Sequence, residues 1–209
     1  MTKARAHTRY KLPDGTKIVG TTTVTGLLAK FGLYGWYWKL GRDGIDHRKH
    51  LDHLADIGTL MHSMIFHHLK DETIDTGDYS QNQIELAMNS FELFRKWGKQ
   101  HKLEPILLEE QLVSEKWKYG GTPDFYGLVD GEKTLLDFKS SGVYSDQFIQ
   151  LAAYKNLLEE QGHRVDNCWV LVLPTNGELK EAQREDVSVH WKIFLDLLDI
   201  YKLRKEIRK

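Results

Sequence analysis

The apolar run from Cys168 to Leu173 constrains the fold more than any other stretch of this sequence. It reads CWVLVL, contains no charged residue and is followed at once by Pro174. A strand that is apolar at every position is typical of a sheet covered on both faces, whereas a half-exposed strand alternates apolar and polar residues. The run therefore predicts a central sheet with helices packed against both of its faces.

The hydrophobic pattern changes near residue 104 and divides the chain into two parts. Before that point apolar residues recur at helical spacing over 51–69 and 84–97. After it, ILLEEQLV and TLLDFK have the length and composition of strands, and helical spacing returns later in the chain. The order predicts one α/β domain over residues 1–209. In it a mixed central sheet flanked by helices (104–209) follows a mainly helical N-terminal elaboration (1–103).

Composition excludes several classes of protein. The formal net charge of −1 argues against a protein that coats nucleic acid through a high overall positive charge. Cys168 is the one cysteine, so a single chain forms neither an intramolecular disulfide nor a four-cysteine iron–sulfur cluster. The first residues lack an apolar stretch of signal-peptide length, and no run reaches the roughly 18 apolar residues of a membrane span. We expect a cytoplasmic protein without membrane contact.

Basic residues gather at both ends of the chain. Two interpretations stand side by side: solvated termini, or side chains that contact phosphates. The residues are Lys3, Arg5, Arg9, Lys11, Lys202, Arg204, Lys205, Arg208 and Lys209.

Asp124, Asp137 and Lys139 form the strongest candidate site. Asp137 and Lys139 lie two apart in TLLDFK, so a strand directs both side chains to one face. Asp124 lies on the neighbouring strand, and the turn at Asp130-Gly131 folds it back beside Asp137. Two adjacent carboxylates repel each other unless a cation neutralises them. Mg²⁺ or Mn²⁺ prefers oxygen ligands and retains waters, which leaves room for a substrate phosphate and an attacking water.

The predicted strand ILLEEQLV contains two adjacent glutamates. Alternation places Glu110 on the face of Ile106, Leu108 and Leu112, where an acidic group needs a partner such as the metal site. Glu109 is then a solvated residue.

Polar residues on two predicted helices add to the candidate site. Gln150 and Tyr154 are four residues apart, so they share one helical face. His62 lies on an earlier helix, where a neutral imidazole is a suitable metal ligand.

Four short segments occur in the order GTLMH, GTPD, DFK and QLAAY, over about residues 58 to 154. In this order they resemble the motifs of RecB-like nucleases of the PD-(D/E)XK superfamily. Because a four-cysteine cluster is excluded, the chain is most similar in character to the small, cluster-free phage and mitochondrial exonucleases. The resemblance implies a restriction-endonuclease-like core. It also implies that Asp124 and Asp137 bind metal, that Lys139 is catalytic and that His62 is a metal ligand.

The resemblance implies further, supporting roles. Glu110 is expected to assist the metal site and catalysis, and the main-chain carbonyl of Phe138 to add a ligand. Gln150 and Tyr154 are expected to order the site and the DNA. Ser140, which directly follows the lysine, either hydrogen-bonds a phosphate or ends the strand.

Simpler interpretations compete with these at several positions. The aspartates and the lysine are also compatible with a surface salt bridge on a hairpin. His47, His50 and His53 fit no strong zinc pattern. The aromatic segment at residues 36–38 either stacks on bases or packs against a helix.

Together these expectations describe a metal-dependent DNA exonuclease that acts in recombination, repair or end processing. It uses Mg²⁺ or Mn²⁺ and acts on single-stranded or double-stranded DNA ends. A recombination or replication protein is an expected partner. Two alternatives remain: a structure-specific endonuclease that cuts flaps or branches, and a catalytically silent DNA-binding protein.

Overall fold

The computed structural model describes residues 9–207. Lys3, Arg5, Arg208 and Lys209 lie outside the described residues, so their predicted roles stay predictions. The strands are β1 (Tyr10–Lys11), β2 (Lys17–Gly20), β3 (Leu103–Leu108), β4 (Leu112–Ser114), β5 (Tyr119–Gly121), β6 (Phe125–Val129), β7 (Glu132–Lys139), β8 (Asn167–Val172) and β9 (Lys180–Arg184). The helices are α1 (Thr21–Thr25), α2 (Gly32–Arg42), α3 (His47–Leu69), α4 (Gln81–Gly98), α5 (Ser145–Glu160) and α6 (Ser188–Glu206).

The larger sheet has the strand order β3-β6-β7-β8-β9. Neighbouring strands in this sheet are antiparallel, with the exception of β7 and β8. These two run parallel because α5 connects them in a crossover. From Cys168 onward β8 is buried at every position, as the apolar run predicts. The predicted mixed sheet flanked by helices is confirmed.

Two hydrophobic clusters cover the two faces of this sheet. One face presents Leu135 and Val170 to a cluster that includes α5 and α6. The other presents Leu136, Phe138 and Leu171 to a cluster built with α3 and α4. Side chains of β7 and β8 therefore alternate between two buried layers, which fixes the register of both strands because a one-residue shift exchanges the faces.

The predicted strand ILLEEQLV is wrong, because the chain divides it between two sheets. β3 ends at Leu108 and β4 begins at Leu112, in a second sheet with the order β1-β2-β5-β4. Glu109 between them has a φ of 48°, which breaks the alternation of side chains. The Glu109 amide still donates a hydrogen bond to the carbonyl oxygen of Asp124, at 3.3 Å, which extends the pairing of β3 with β6 by one residue before the chain turns.

Within residues 9–207 each helix is too short or too polar to cross a lipid bilayer.

Gly127 allows β3 and β6 to approach closely. A Cβ atom there would lie 2.3 Å from the carbonyl oxygen of Glu104 and 3.0 Å from Cα of Pro105, both backbone atoms. We expect Gly127→Ala to lower the free energy of unfolding by about 1–3 kcal/mol, since the strand must shift to admit a methyl group. Urea denaturation measures the change. Gly41→Ala is the control, because Gly41 lies in a helix and no atom comes within 4 Å of the place that the added methyl group would take. Equal or higher stability of Gly127→Ala would contradict the prediction.

Candidate active site

Pairing between β6 and β7 brings the two predicted aspartates together. Phe125 pairs with Leu136, so Asp124, just before β6, comes beside Asp137. A carboxylate oxygen of Asp124 accepts a hydrogen bond from the Phe138 amide at 2.8 Å. This bond fixes the Asp124 side chain against the strand that carries Asp137.

Lys139 shares the face of Asp137, as the spacing of two predicts. Its Nζ lies 2.6 Å from Oδ2 of Asp137. The Asp137 side chain is 1% exposed and the Lys139 side chain 26% exposed, so the ammonium group lies between the buried carboxylate and solvent. The pair is therefore a largely buried ion pair, unlike a surface salt bridge.

His62 reaches the same site from α3. Its Nδ1 lies 3.3 Å from Oδ1 of Asp124, and its ring meets the ring of Phe138 edge-on at 6.0 Å between centroids. Phe138 points into the core below while its backbone amide holds Asp124. Packing of α3 on the sheet thus positions the imidazole.

Gln150 and Tyr154 lie on one face of α5 and support Asp137. Gln150 Nε2 lies 3.3 Å from Oδ1 of Asp137 and 2.9 Å from the hydroxyl oxygen of Tyr154. A Cβ atom on Gly121 would lie 2.5 Å from the Tyr154 ring, so the missing side chain makes room for that ring. Gln150 therefore contacts the buried carboxylate directly, and Tyr154 is linked to it through Gln150.

The two carboxyl groups have opposite pKa shifts. Burial raises the pKa of Asp137 to about 6, and the neighbouring Asp124 charge adds to the rise while Lys139 opposes it. Burial also acts on Asp124, but the charge and hydrogen bond of His62, with Lys139, hold the pKa of Asp124 below its usual range. Environments that separate the pKa values of adjacent carboxyl groups are typical of functional sites.

The pKa values of the two basic groups are shifted in the same direction. Burial disfavours the charge of each, yet the two aspartates outweigh it and raise the pKa of both Lys139 and His62.

The donor set fits a hard divalent cation. Oδ2 of Asp137 is buried and accepts no hydrogen bond of suitable angle, although the Lys139 ammonium lies 2.6 Å away. Carboxylate oxygens and an imidazole nitrogen are ligands that Mg²⁺ and Mn²⁺ accept. Over residues 9–207, however, no three His, Cys, Asp or Glu side chains converge on one cation position. The candidate ligands are engaged with other side chains, since His62 lies against Asp124 and Lys139 lies against Asp137.

The glutamate beside the site is Glu109, not the predicted Glu110. Glu109 and Glu110 are both exposed and lie between β3 and β4. The Glu109 amide donates a hydrogen bond to the Asp124 carbonyl oxygen, and desolvation together with the Asp124 charge raises the pKa of Glu109. The prediction of Glu110 assumed one continuous strand, and the turn at Glu109 removes that assumption. A positive φ at a glutamate carries no recognisable sequence signal, so sequence alone did not identify this residue.

The other predicted residues have varied positions. Ser140 occupies a bend directly after β7. His47 and His50 contact the rings of Tyr37 and Trp36, which favours helix packing at those positions.

Basic residues from the end of the chain line a groove of about 560 Å³. Lys202 and Lys205 of α6 meet Lys17 and Lys118 there, with Asp14 as an acidic neighbour. Both interpretations of the basic ends, solvated termini and phosphate contacts, stay predictions.

Comparisons with known proteins give a distant likeness. No family model matches the chain, and no curated protein matches its sequence. Similar solved structures include an alkaline exonuclease from Laribacter hongkongensis, with 13% identity, a TM-score of 0.40, and coverage of 91% of this chain and 94% of that chain. The same exonuclease in complex with dAMP gives 14% identity, a TM-score of 0.38 and the same coverage. At these values the likeness assigns neither residues nor an activity to this chain.

Proposed function

We propose that this protein is a metal-dependent nuclease that hydrolyses DNA phosphodiester bonds, and specifically an exonuclease. One observation supports the proposal: Asp124, just before β6, and Asp137, on the paired strand β7, lie within ion-pair or hydrogen-bond distance of Lys139, His62 and Gln150. Such a group is costly to stability when no cation is bound, because two carboxylates share a buried site. A catalytic function that needs these charges explains why the protein contains this destabilising group.

Each residue has a proposed role. Asp124, Asp137 and His62 hold Mg²⁺ or Mn²⁺, and the main-chain carbonyl of Phe138 adds a ligand. Bound there, the cation supplies a Lewis acid for the phosphate and an acidified water. Lys139 orients the attacking water and stabilises the charge that develops on the phosphate.

The residues around this centre position it. Gln150 and Tyr154 hold the Asp137 carboxylate in one orientation. Ser140, directly after β7, contacts the substrate. Glu109, at the rim near Asp124, replaces Glu110 in the assisting role. Action in recombination, repair or end processing, with a recombination or replication protein as partner, belongs to the same proposal.

End-labelled DNA tests the activity. Linear single-stranded and double-stranded substrates and a closed circle are incubated with Mg²⁺ or Mn²⁺. We expect degradation of linear DNA and no cleavage of the circle, because an exonuclease requires an end. Cleavage of circular or flap-bearing DNA favours the endonuclease. Binding without cleavage under every divalent ion favours the silent DNA-binding protein.

Cation binding is expected to depend on pH through Asp137. Its pKa is raised from 3.8 to about 6, so in the cation-free protein the charge of this group lowers stability as pH rises between those values. A bound cation favours the ionised carboxylate, and proton binding competes with it below about pH 6. We expect Mn²⁺ to raise the melting temperature clearly at about pH 7.5 and little at about pH 5. Thermal unfolding with and without Mn²⁺ measures both; an equal rise at the two pH values would contradict the prediction.

A further inference from the structure

Three aromatic rings lie exposed on one face of α2. Phe31, Tyr34 and Trp38 are 75%, 62% and 67% exposed. Their spacing of three and four residues places them in one stripe along the helix. Exposed aromatic residues that lie in a row, unlike scattered ones, are typical of a binding surface.

The same helix is anchored by other residues, which leaves this aromatic stripe free of a packing role. Trp36 and Tyr37 are half-buried and contact His50 and His47 of α3, and Leu40 is buried. The aromatic segment of the sequence thus divides between its two interpretations, because packing explains residues 36 and 37 but not Trp38.

The charge of the aromatic stripe is positive. The helix Gly32–Arg42 contains no acidic residue and carries Lys39 and Arg42, and Arg42 also pairs with Asp43, directly after the helix, at 3.0 Å. The Arg42 guanidinium lies over the Trp38 ring, 5.2 Å from its centroid. Gly35 lies between the rings, and no atom comes within 4 Å of the place where its side chain would be. The rings of Phe31 and Tyr34 meet edge-on, at 71° between their planes. Exposed rings beside cationic side chains suit an anionic ligand that carries flat rings.

This aromatic stripe begins next to the candidate active site. Lys30, which precedes Phe31, forms an ion pair with Asp146 at 3.0 Å. Asp146 lies in the first turn of α5, and its charge contributes to the raised pKa of Lys139. From Phe31 to Trp38 the helix rises about 10 Å. That length corresponds to about three nucleotides at the rise of one DNA strand.

We propose that the aromatic stripe of Phe31, Tyr34 and Trp38 binds the unpaired bases of a single DNA strand by stacking. The inference rests on the proposed function and deepens it, because it makes single-stranded DNA, or a frayed end, the substrate class. Stacking tolerates any base sequence, while Lys39 and Arg42 attract the phosphates. Bases of a blunt duplex are paired and stacked on each other, so the rings gain nothing from them.

Binding to the full chain carrying Lys139→Ala tests the proposal without turnover. The probe is a fluorescein-labelled oligothymidylate of about 12 nucleotides, and fluorescence anisotropy gives Kd. We expect Trp38→Ala to weaken binding about 5- to 100-fold, with a larger loss when Tyr34→Ala is added. Trp38→Phe is expected to retain most of the affinity. Leu203→Ala and Ile200→Ala on α6 are the controls, since they shorten exposed apolar side chains elsewhere.

Two further measurements decide between this proposal and its competitors. A blunt duplex is expected to bind the stripe variants and the parent equally, and an equal loss for duplex and single strand would overturn the proposal. Sedimentation measures self-association; variants that dissociate a dimer yet bind DNA normally would assign the stripe to a second copy and overturn it. Unchanged affinity of the stripe variants for the single strand would also overturn the proposal. None of these measurements depends on hydrolysis. Absence of nuclease activity in the wild-type protein would refute the proposed function, whereas the binding measurements alone decide the role of the aromatic stripe.

Discussion

Lys139→Ala is expected to slow DNA hydrolysis by about 10²- to 10³-fold, the usual loss when one group that stabilises transition-state charge is removed. The Lys139 ammonium lies 2.6 Å from the buried Asp137 carboxylate and is partly open to solvent. The ammonium group therefore lies against a proposed cation ligand and is accessible to a substrate phosphate. Single-turnover rates with labelled linear DNA and saturating Mg²⁺ measure the effect.

Lys133→Ala is the matched control for this substitution. Lys133 lies on the same strand β7 but is exposed and outside the site. Its loss is expected to leave the rate unchanged, and Lys139→Arg is expected to restore part of it because the positive charge remains. Equal hydrolysis by wild type and Lys139→Ala would remove Lys139 from the mechanism.

Asp137→Asn is expected to abolish stabilisation by Mn²⁺ and to reduce hydrolysis below detection. Loss of a group that only orients a metal ligand typically costs 10- to 100-fold in affinity, so loss of a ligand itself is expected to cost more than about 100-fold. The cation-free variant is expected to be at least as stable as wild type. The substitution removes a buried charge beside another carboxylate, and Lys139 can turn to solvent.

Isothermal titration with Mn²⁺ and thermal unfolding check the two halves of this expectation. Asp130→Asn is the control, because Asp130 lies at the exposed turn of the same hairpin and tolerates its positive φ as asparagine. Normal Mn²⁺ affinity in Asp137→Asn would show that the cation binds elsewhere. A severely destabilised Asp137→Asn would show that the carboxylate has a structural role.

Local patterns predicted the parts of the site that depend on near neighbours. A spacing of two on one strand placed Asp137 and Lys139 together, and a spacing of four on one helix placed Gln150 and Tyr154 together. Both results follow from the repeat of a single element, which sequence alone specifies.

Prediction failed where the chain leaves its element. The alternation argument for Glu110 required a strand through residues 106–113, whereas β3 ends at Leu108 and Glu109 has a φ of 48°. Propensity and pattern did not predict this turn, because a positive φ at a glutamate has no local signal and tertiary context outweighs strand propensity. The same turn creates the second sheet, which the sequence did not predict.

The residue pattern was sufficient to establish the two-sided burial of β8, and with it the mixed sheet between helices, because an uninterrupted apolar strand is stable only when both faces are covered. It was also sufficient to establish which residues share a face with Asp137. Three-dimensional packing was needed to establish that His62 reaches Asp124, that Glu109 lies at the rim and that Phe31, Tyr34 and Trp38 stay exposed beside the site. These features depend on how separate elements pack, and packing is a property of surfaces brought together from distant parts of the chain.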